Sequence, residues 1–189
     1  MPADPVDFPR AFEFEVLQEL PGFPTQSPPI YYLPEGPGVG ADGIGVRFSP
    51  PESSEWIGIF KFGSLAPHSH TGVHGHPDPS RLCVVSRGSA YFASATRPGL
   101  VFVPAPQIVT QVWPCLELGL LLLVDPWELY AYGAEGERWH TGRIALDGLR
   151  ILERKGSTLR LSATDLEEDL EVTVDLVTGK CQGQRAWGP

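Results

Sequence analysis

The sequence predicts an all-β protein of short antiparallel strands, arranged either as a sandwich or as stacked four-stranded sheets. Three observations support this fold class. The apolar run Leu120–Val124 is too short for a buried helix and suits a strand that is buried on both faces. Glycine and aspartate recur at short intervals through Leu118–Leu152 and divide it into brief strands. Eleven of the twenty prolines lie in residues 1–51, where they exclude long regular elements.

Residues 1–51 are predicted to form a proline-rich arm that packs on a β-rich domain of residues 52–189. Within the arm, Ala11–Leu20 is compatible with a short helix or a strand, and Ile30–Leu33 with a short edge strand. The arm is too rich in aromatic residues for a free linker. These aromatic residues are Phe8, Phe12, Phe14, Phe23, Tyr31 and Tyr32.

The first half of the domain contains a series of predicted strands. Trp56, Gly58 and Phe60 alternate within a strand at Glu55–Phe62, so they share one face of it. A hairpin turns at Arg87-Gly88. The predicted strands after Glu55–Phe62 are Leu82–Ser86, Ser89–Ser94, Leu100–Val103, Gln107–Trp113 and Cys115–Val124.

The second half of the domain also contains predicted strands. Arg150–Glu153 and Thr158–Ser162 are predicted to pair around Lys155-Gly156. Thr164–Asp169 is expected to be an acidic loop. Apolar and polar residues then alternate over Leu170–Leu176, which indicates a strand with one exposed side.

Bulk properties exclude several classes of function. A formal net charge of −9 argues against nucleic-acid and anionic-membrane binding, both of which favour basic surfaces. No apolar run approaches the roughly 20 residues of a membrane span, and the first residues lack the features of a signal peptide. Three widely spaced cysteines do not predict a disulfide framework. We expect a soluble, cytoplasmic protein whose oligomeric state the sequence leaves open.

Four of the five histidines lie within nine residues, in a segment that we expect to be a loop. Imidazoles at such spacing suit Zn, Fe, Mn or Ni, so the segment is a candidate metal site. The alternative is a polar surface loop, because Gly-His-Pro-Asp-Pro is also typical of a turn. The candidate ligands are His68, His70, His74 and His76.

The histidine segment resembles the cupins. His74-Gly-His76, Arg81 and Gly88 reproduce the spacing of the first cupin motif, and Gly99–Val109 follows the outline of the second. The resemblance implies a metal-binding protein or enzyme. Arg81 stands where cupins have a ligand glutamate and Val109 where they have the third histidine, and neither side chain can replace a ligand.

The chain is also similar, over about residues 55–180, to a bacterial all-β protein family without an assigned function. Within this region, Leu129–Trp139 resembles one blade of a quinoprotein-type β-propeller. The resemblance implies short antiparallel sheets and no particular activity. The matching segments are Trp56–Gly63, Leu82–Gly88, Leu120–Val124, Ala131–Gly136 with Trp139 and Arg143, Asp147–Leu149 and Val174–Gly179.

No complete catalytic set and no cofactor motif stands out in the sequence. The sequence therefore favours a non-catalytic domain that binds a protein partner, as an accessory subunit or an immunity-type protein. The alternative is a cupin-like metal-binding protein or enzyme that uses the segment His68–His76.

Overall fold

The computed structural model describes residues 7–22, 28–33, 36–38, 40–64, 66–98, 101–106, 108–165 and 168–183. These residues form seventeen strands and one short 3-10 turn at Leu116–Leu118. The all-β prediction is confirmed. Within the described ranges, no helix has the length and apolar character that crossing a membrane would require.

The first sheet has five strands in the order β1-β4-β5-β2-β3. Its pairs are antiparallel except for β2 with β5, which run parallel. The strands are β1 (Glu13–Val16), β2 (Ile30–Leu33), β3 (Gly36–Gly38), β4 (Gly43–Ser49) and β5 (Trp56–Lys61).

The other three sheets each have four antiparallel strands whose order in space follows their order in the chain. The second sheet contains β6 (Gly72–Gly75), β7 (Arg81–Ser86), β8 (Ser89–Ser94) and β9 (Val101–Phe102). The third contains β10 (Gln111–Cys115), β11 (Leu120–Val124), β12 (Leu129–Gly133) and β13 (Gly136–His140). The fourth contains β14 (Leu149–Lys155), β15 (Thr158–Asp165), β16 (Glu168–Asp175) and β17 (Cys181–Gln182).

The four sheets form a stack, because three buried apolar clusters each join one sheet to the next. Strand β11 illustrates this arrangement. Leu121 and Leu123 face the second sheet, whereas Leu120 and Leu122 face the fourth. Successive side chains of a strand point to opposite faces, so a strand between two sheets must be apolar throughout. The run Leu120–Val124 is therefore buried on both faces, as predicted.

The two terminal sheets cover their outer faces differently. On the fourth sheet the outer face is polar, and Arg160 forms ion pairs there with Glu153 and Glu171. On the first sheet Leu17 and Leu20 lie over Gly45, where a Cβ atom would be 3.1–3.3 Å from their side-chain carbons.

Two predicted elements differ in the structure. Residues Ala11–Leu20 contain the strand Glu13–Val16, so the helical alternative was wrong. The predicted strand Cys115–Val124 is two strands, because a 3-10 turn and Gly119, with a φ of 60°, reverse the chain within it. A positive φ is readily adopted by glycine and ends the strand there.

Two predicted loops are also wrong in part. Within the predicted acidic loop, Thr164 pairs with Asp169 and Asp165 with Glu168, so strand pairing continues into it from both sides. Residues 166–167 of that loop lie outside the described residues. The histidine segment contains the edge strand β6. Its two glycines have little β propensity, and pairing with the apolar β7 outweighs that deficit.

Residues 13–49 contribute β1–β4 to the first sheet, and β5 pairs with β4. The predicted boundary after residue 51 therefore falls between two paired strands. The division into an arm and a domain stays a prediction.

Candidate functional site

Strand β6 positions the histidine segment at the edge of the second sheet. Val73 packs towards the first sheet. His74 pairs with Cys83, which belongs to the cluster between the second and third sheets. Because side chains alternate along a strand, His74 faces the third sheet.

His70 and His74 are in direct contact. Their Nε2 atoms are 2.8 Å apart, so one ring donates its Nε2–H to the lone pair of the other. Burial lowers the pKa of His70. Burial, together with the neighbouring His70, lowers the pKa of His74 to about 4. Both rings are therefore neutral near pH 7.

Asp7 brings the N-terminal segment to this place. Its two carboxylate oxygens accept hydrogen bonds from the Gly75 N–H at 2.8 Å each. Phe8 is buried in the cluster between the second and third sheets. The carboxylate acts to raise the pKa of His74, but the desolvation of that ring is the larger effect. The main contribution of Asp7 is structural, because its hydrogen bonds with the Gly75 N–H fix the backbone next to His74.

His76 lies in the core. Its Nδ1 accepts a hydrogen bond from the Asp78 N–H at 3.0 Å, and its ring makes a T-shaped contact with Phe92 at 4.6 Å. Its buried Nε2 finds no hydrogen-bond partner among the described residues. Burial, reinforced by the charge of Arg81, lowers the pKa of His76 to about 4. His76 is therefore a neutral core residue that carries an unsatisfied Nε2–H.

Of the four predicted ligands, the structure brings together His70 and His74. His68 is exposed and adopts a φ of 74°. In the described part of the chain, no three His, Cys, Asp or Glu side chains converge into a group able to hold a metal ion. A site that uses all four histidines stays a prediction. Among the described residues, the side-chain contact within this set is the one between His70 and His74.

The two positions that depart from the cupin motif have other roles. Arg81 forms an ion pair with Asp78, with Nε 3.1 Å from the carboxylate. Val109 is fully buried, and its carbonyl oxygen accepts a hydrogen bond from the His70 N–H at 2.8 Å. Val109 thus supports the histidine segment through its backbone.

A second candidate site lies at the turns of the third and fourth sheets. One cleft of about 270 Å³ is lined by the turns β10–β11, β12–β13 and β16–β17. A neighbouring cleft of about 190 Å³ lies between β12–β13 and the second sheet. Glu135 lines both clefts. We call this region the turn-end surface and define it by Arg81, Phe102, Glu135, Arg138, Trp139 and Val177.

Two contacts hold Trp139, which lines the larger cleft, in place. The Trp139 Nε1–H donates to the Leu176 carbonyl at 3.0 Å. Gly179 passes so close to the indole that a Cβ atom there would lie 2.8 Å from a ring carbon. Sequence reasoning missed this surface, because no motif marks it and its residues come from three sheets. The one local signal was the blade-like segment Leu129–Trp139, which contains the central turn.

No protein-family model matches the chain, and no curated protein matches it. The resemblance to a bacterial all-β family and the weaker resemblance to cupins therefore stay predictions.

Proposed function

We propose that this protein is a non-catalytic β-domain that binds a protein partner, as an accessory subunit or an immunity-type protein. We further propose that the turn-end surface is the binding site. The main support is that two adjacent clefts share one turn and are flanked by exposed apolar side chains.

Large apolar residues are exposed at both ends of this surface. Phe102 is 48% exposed and lines the smaller cleft, while Val177 is 66% exposed and lines the larger one. Trp139 is half-buried and lines the larger cleft beside Val177. Apolar side chains exposed beside a cleft are typical of protein interaction sites, where aromatic residues supply much of the binding energy.

Charged side chains surround these apolar residues. Arg81 lines the smaller cleft, Arg138 the larger one, and Glu135 stands between them. Protein interfaces are enriched in arginine and have a polar rim around an apolar centre. The arrangement therefore resembles an interface centre with charges of both signs at its rim.

Cleft size favours a protein over a small molecule. Small-molecule sites usually enclose roughly 300–1,000 Å³ and bury most of their ligand. The two clefts, at about 270 and 190 Å³, are smaller. Each cleft has room for one or two side chains of a partner that also covers Glu135.

Charge indicates the chemistry of the partner. The formal net charge of −9 attracts a basic partner over long range and accelerates the encounter. Association should slow as salt screens this attraction. We therefore expect a partner with a basic surface and an apolar centre.

Affinity purification from the source organism tests the proposal. The baits are the wild-type chain, Val177→Lys and Glu135→Lys, because both variants place positive charge where a basic partner would bind. The matched control is Leu152→Lys, because Leu152 is 43% exposed on the bulged strand β14. We expect the wild type and the control to retain one reproducible partner that both turn-end variants lose. Failure to retain any reproducible partner, or equal retention by all four baits, would contradict the proposal.

The alternative, a cupin-like metal-binding protein or enzyme that uses His68–His76, stays a prediction. It needs further ligands beyond the contact between His70 and His74, and Arg81 and Val109 supply none. Elemental analysis of tag-free protein, followed by an oxygenase and isomerase screen, would test it. The expected cytoplasmic location likewise stays a prediction.

A further inference from the structure

Independently of the partner, we propose that His70 and His74 form a binding site for one divalent transition-metal ion such as Zn²⁺, Ni²⁺ or Cu²⁺. The glycine between them, Gly72, places no side chain against the two Nε2 atoms. The site shares no residue with the turn-end surface, so metal binding and partner binding can succeed or fail separately.

The two ligand atoms are almost in position. The Nε2 atoms of His70 and His74 are 2.8 Å apart. Two imidazole nitrogens that each lie about 2.0–2.1 Å from one tetrahedral zinc ion are about 3.3 Å from each other. Opening the pair by about half an ångström therefore converts a hydrogen bond into a chelate. Borderline metals are the ones that imidazole favours.

Gly72 lies directly against the two imidazoles. A Cβ atom at this position would lie 3.0 Å from the His74 Nε2 and 3.1 Å from the His70 Nε2. Gly72 is not among the residues with a positive φ, so its backbone conformation does not require glycine. A methyl group here would be nearly equidistant from both nitrogens and would crowd each of them. The absence of a side chain therefore keeps this side of both ligand atoms unobstructed.

The backbone holds both histidines in place. The His70 N–H donates to the Val109 carbonyl at 2.8 Å, and the His70 carbonyl accepts from the Gly88 N–H at 2.9 Å. His74 is paired with β7, and the Asp7 carboxylate holds the following residue, Gly75. A chelate on such a support loses little conformational entropy when the ion binds.

Proton balance also permits binding. Both rings are neutral, and one of them carries its proton on the Nε2 that donates to the other. When the ion binds, that proton moves to Nδ1 of the same ring through solvent, and both Nε2 lone pairs face the metal. No net proton is released, and water fills the remaining coordination positions.

The test is calorimetric titration of tag-free, EDTA-stripped full-length protein with Zn²⁺, Ni²⁺ and Cu²⁺. We expect one ion per chain, with Cu²⁺ binding more tightly than Ni²⁺ or Zn²⁺. His70→Ala and His74→Ala should each weaken binding by more than about tenfold, since loss of even an indirect partner of a ligand costs that much. His140→Ala is the matched control. His140 is exposed, is bonded to Glu137 and lies outside this segment, so its variant should bind as the wild type does.

Gly72→Ala gives a sharper result, because it keeps both imidazoles and adds a methyl group that crowds both Nε2 atoms. We expect it to weaken metal binding by about tenfold or more while thermal unfolding of the metal-free protein confirms a folded chain. Electron paramagnetic resonance of the Cu²⁺ complex should show two coordinated imidazole nitrogens in the wild type, a readout that needs no variant. Absence of binding, wild-type affinity in the variants, or a spectrum with fewer than two nitrogens would overturn the proposal.

Discussion

Alanine substitution of two neighbouring leucines distinguishes a stack of sheets from a two-layer sandwich. Leu121 and Leu122 are adjacent in β11 and both are fully buried. Leu121 packs against the second sheet and Leu122 against the fourth. In a two-layer sandwich one of two adjacent residues would face solvent, whereas in a stack both are in a core.

The expected cost is large at both positions. Each Leu→Ala substitution removes three buried carbons, which at about 0.8 kcal/mol each amounts to about 2.4 kcal/mol of transfer free energy. The cavity left behind adds to this, so we expect each variant to lose about 2–5 kcal/mol of unfolding free energy. Val177→Ala, at an exposed turn position, should change stability by less than about 0.5 kcal/mol.

Urea unfolding followed by far-ultraviolet circular dichroism measures these losses. The midpoint should fall in both leucine variants while the slope with denaturant stays constant, because the surface exposed on unfolding is unchanged. If either Leu121→Ala or Leu122→Ala cost less than about 1 kcal/mol, one face of β11 would have to be open to solvent, and the stacked arrangement would be refuted.

Three further predictions test individual contacts. Gly179→Ala should destabilise the protein more than Gly142→Ala in thermal unfolding. Both glycines have a positive φ, which costs alanine about 1–2 kcal/mol. At Gly179 the added Cβ would also lie 2.8 Å from an indole carbon, whereas at Gly142 it would have nothing within 4 Å. Asp7→Asn should accelerate hydrogen exchange of the Gly75 amide about tenfold, because the substitution weakens a charge-assisted hydrogen bond. An unchanged exchange rate would argue against the hydrogen bond between the Gly75 N–H and the Asp7 carboxylate. Stability in EDTA-containing buffer should fall as the pH drops from 6.5 towards 4. Burial holds the pKa of both His74 and His76 at about 4 in the folded protein, and each returns to its ordinary 6.5 on unfolding, so the unfolded chain binds the extra protons. The loss approaches about 1.4 kcal/mol per pH unit for each group, and a urea midpoint that is constant over this range would contradict the prediction.

The parts of the fold that depend on local patterns were predictable from the sequence. The run Leu120–Val124 has no polar residue, and only a strand between two packed sheets needs that composition. The alternation over Leu170–Leu176 gave the half-exposed strand of the terminal sheet, because the outer face of that sheet meets solvent. In both cases the pattern of apolar and polar residues along the strand predicts which of its faces are buried.

Other features depend on contacts between distant residues, so no local pattern shows them. Strand β6 lacks apolar alternation and exists because β7 pairs with it. The parallel pair of β2 with β5 joins segments separated by more than twenty residues. The contact of His70 with His74 requires both the bend before β6 and the missing side chain of Gly72. The histidine cluster could be recognised from the sequence, but which pair would meet could not.

In-cell photo-crosslinking tests the central claim, that the turn-end surface binds a protein partner. A photoreactive amino acid placed at position 177 samples the exposed rim of the larger cleft, and one placed at position 152 samples an exposed site on the fourth sheet. The account predicts that position 177 yields one reproducible crosslinked protein and that position 152 yields none. Equal crosslinking from both positions, or a reproducible product from position 152 alone, would contradict it.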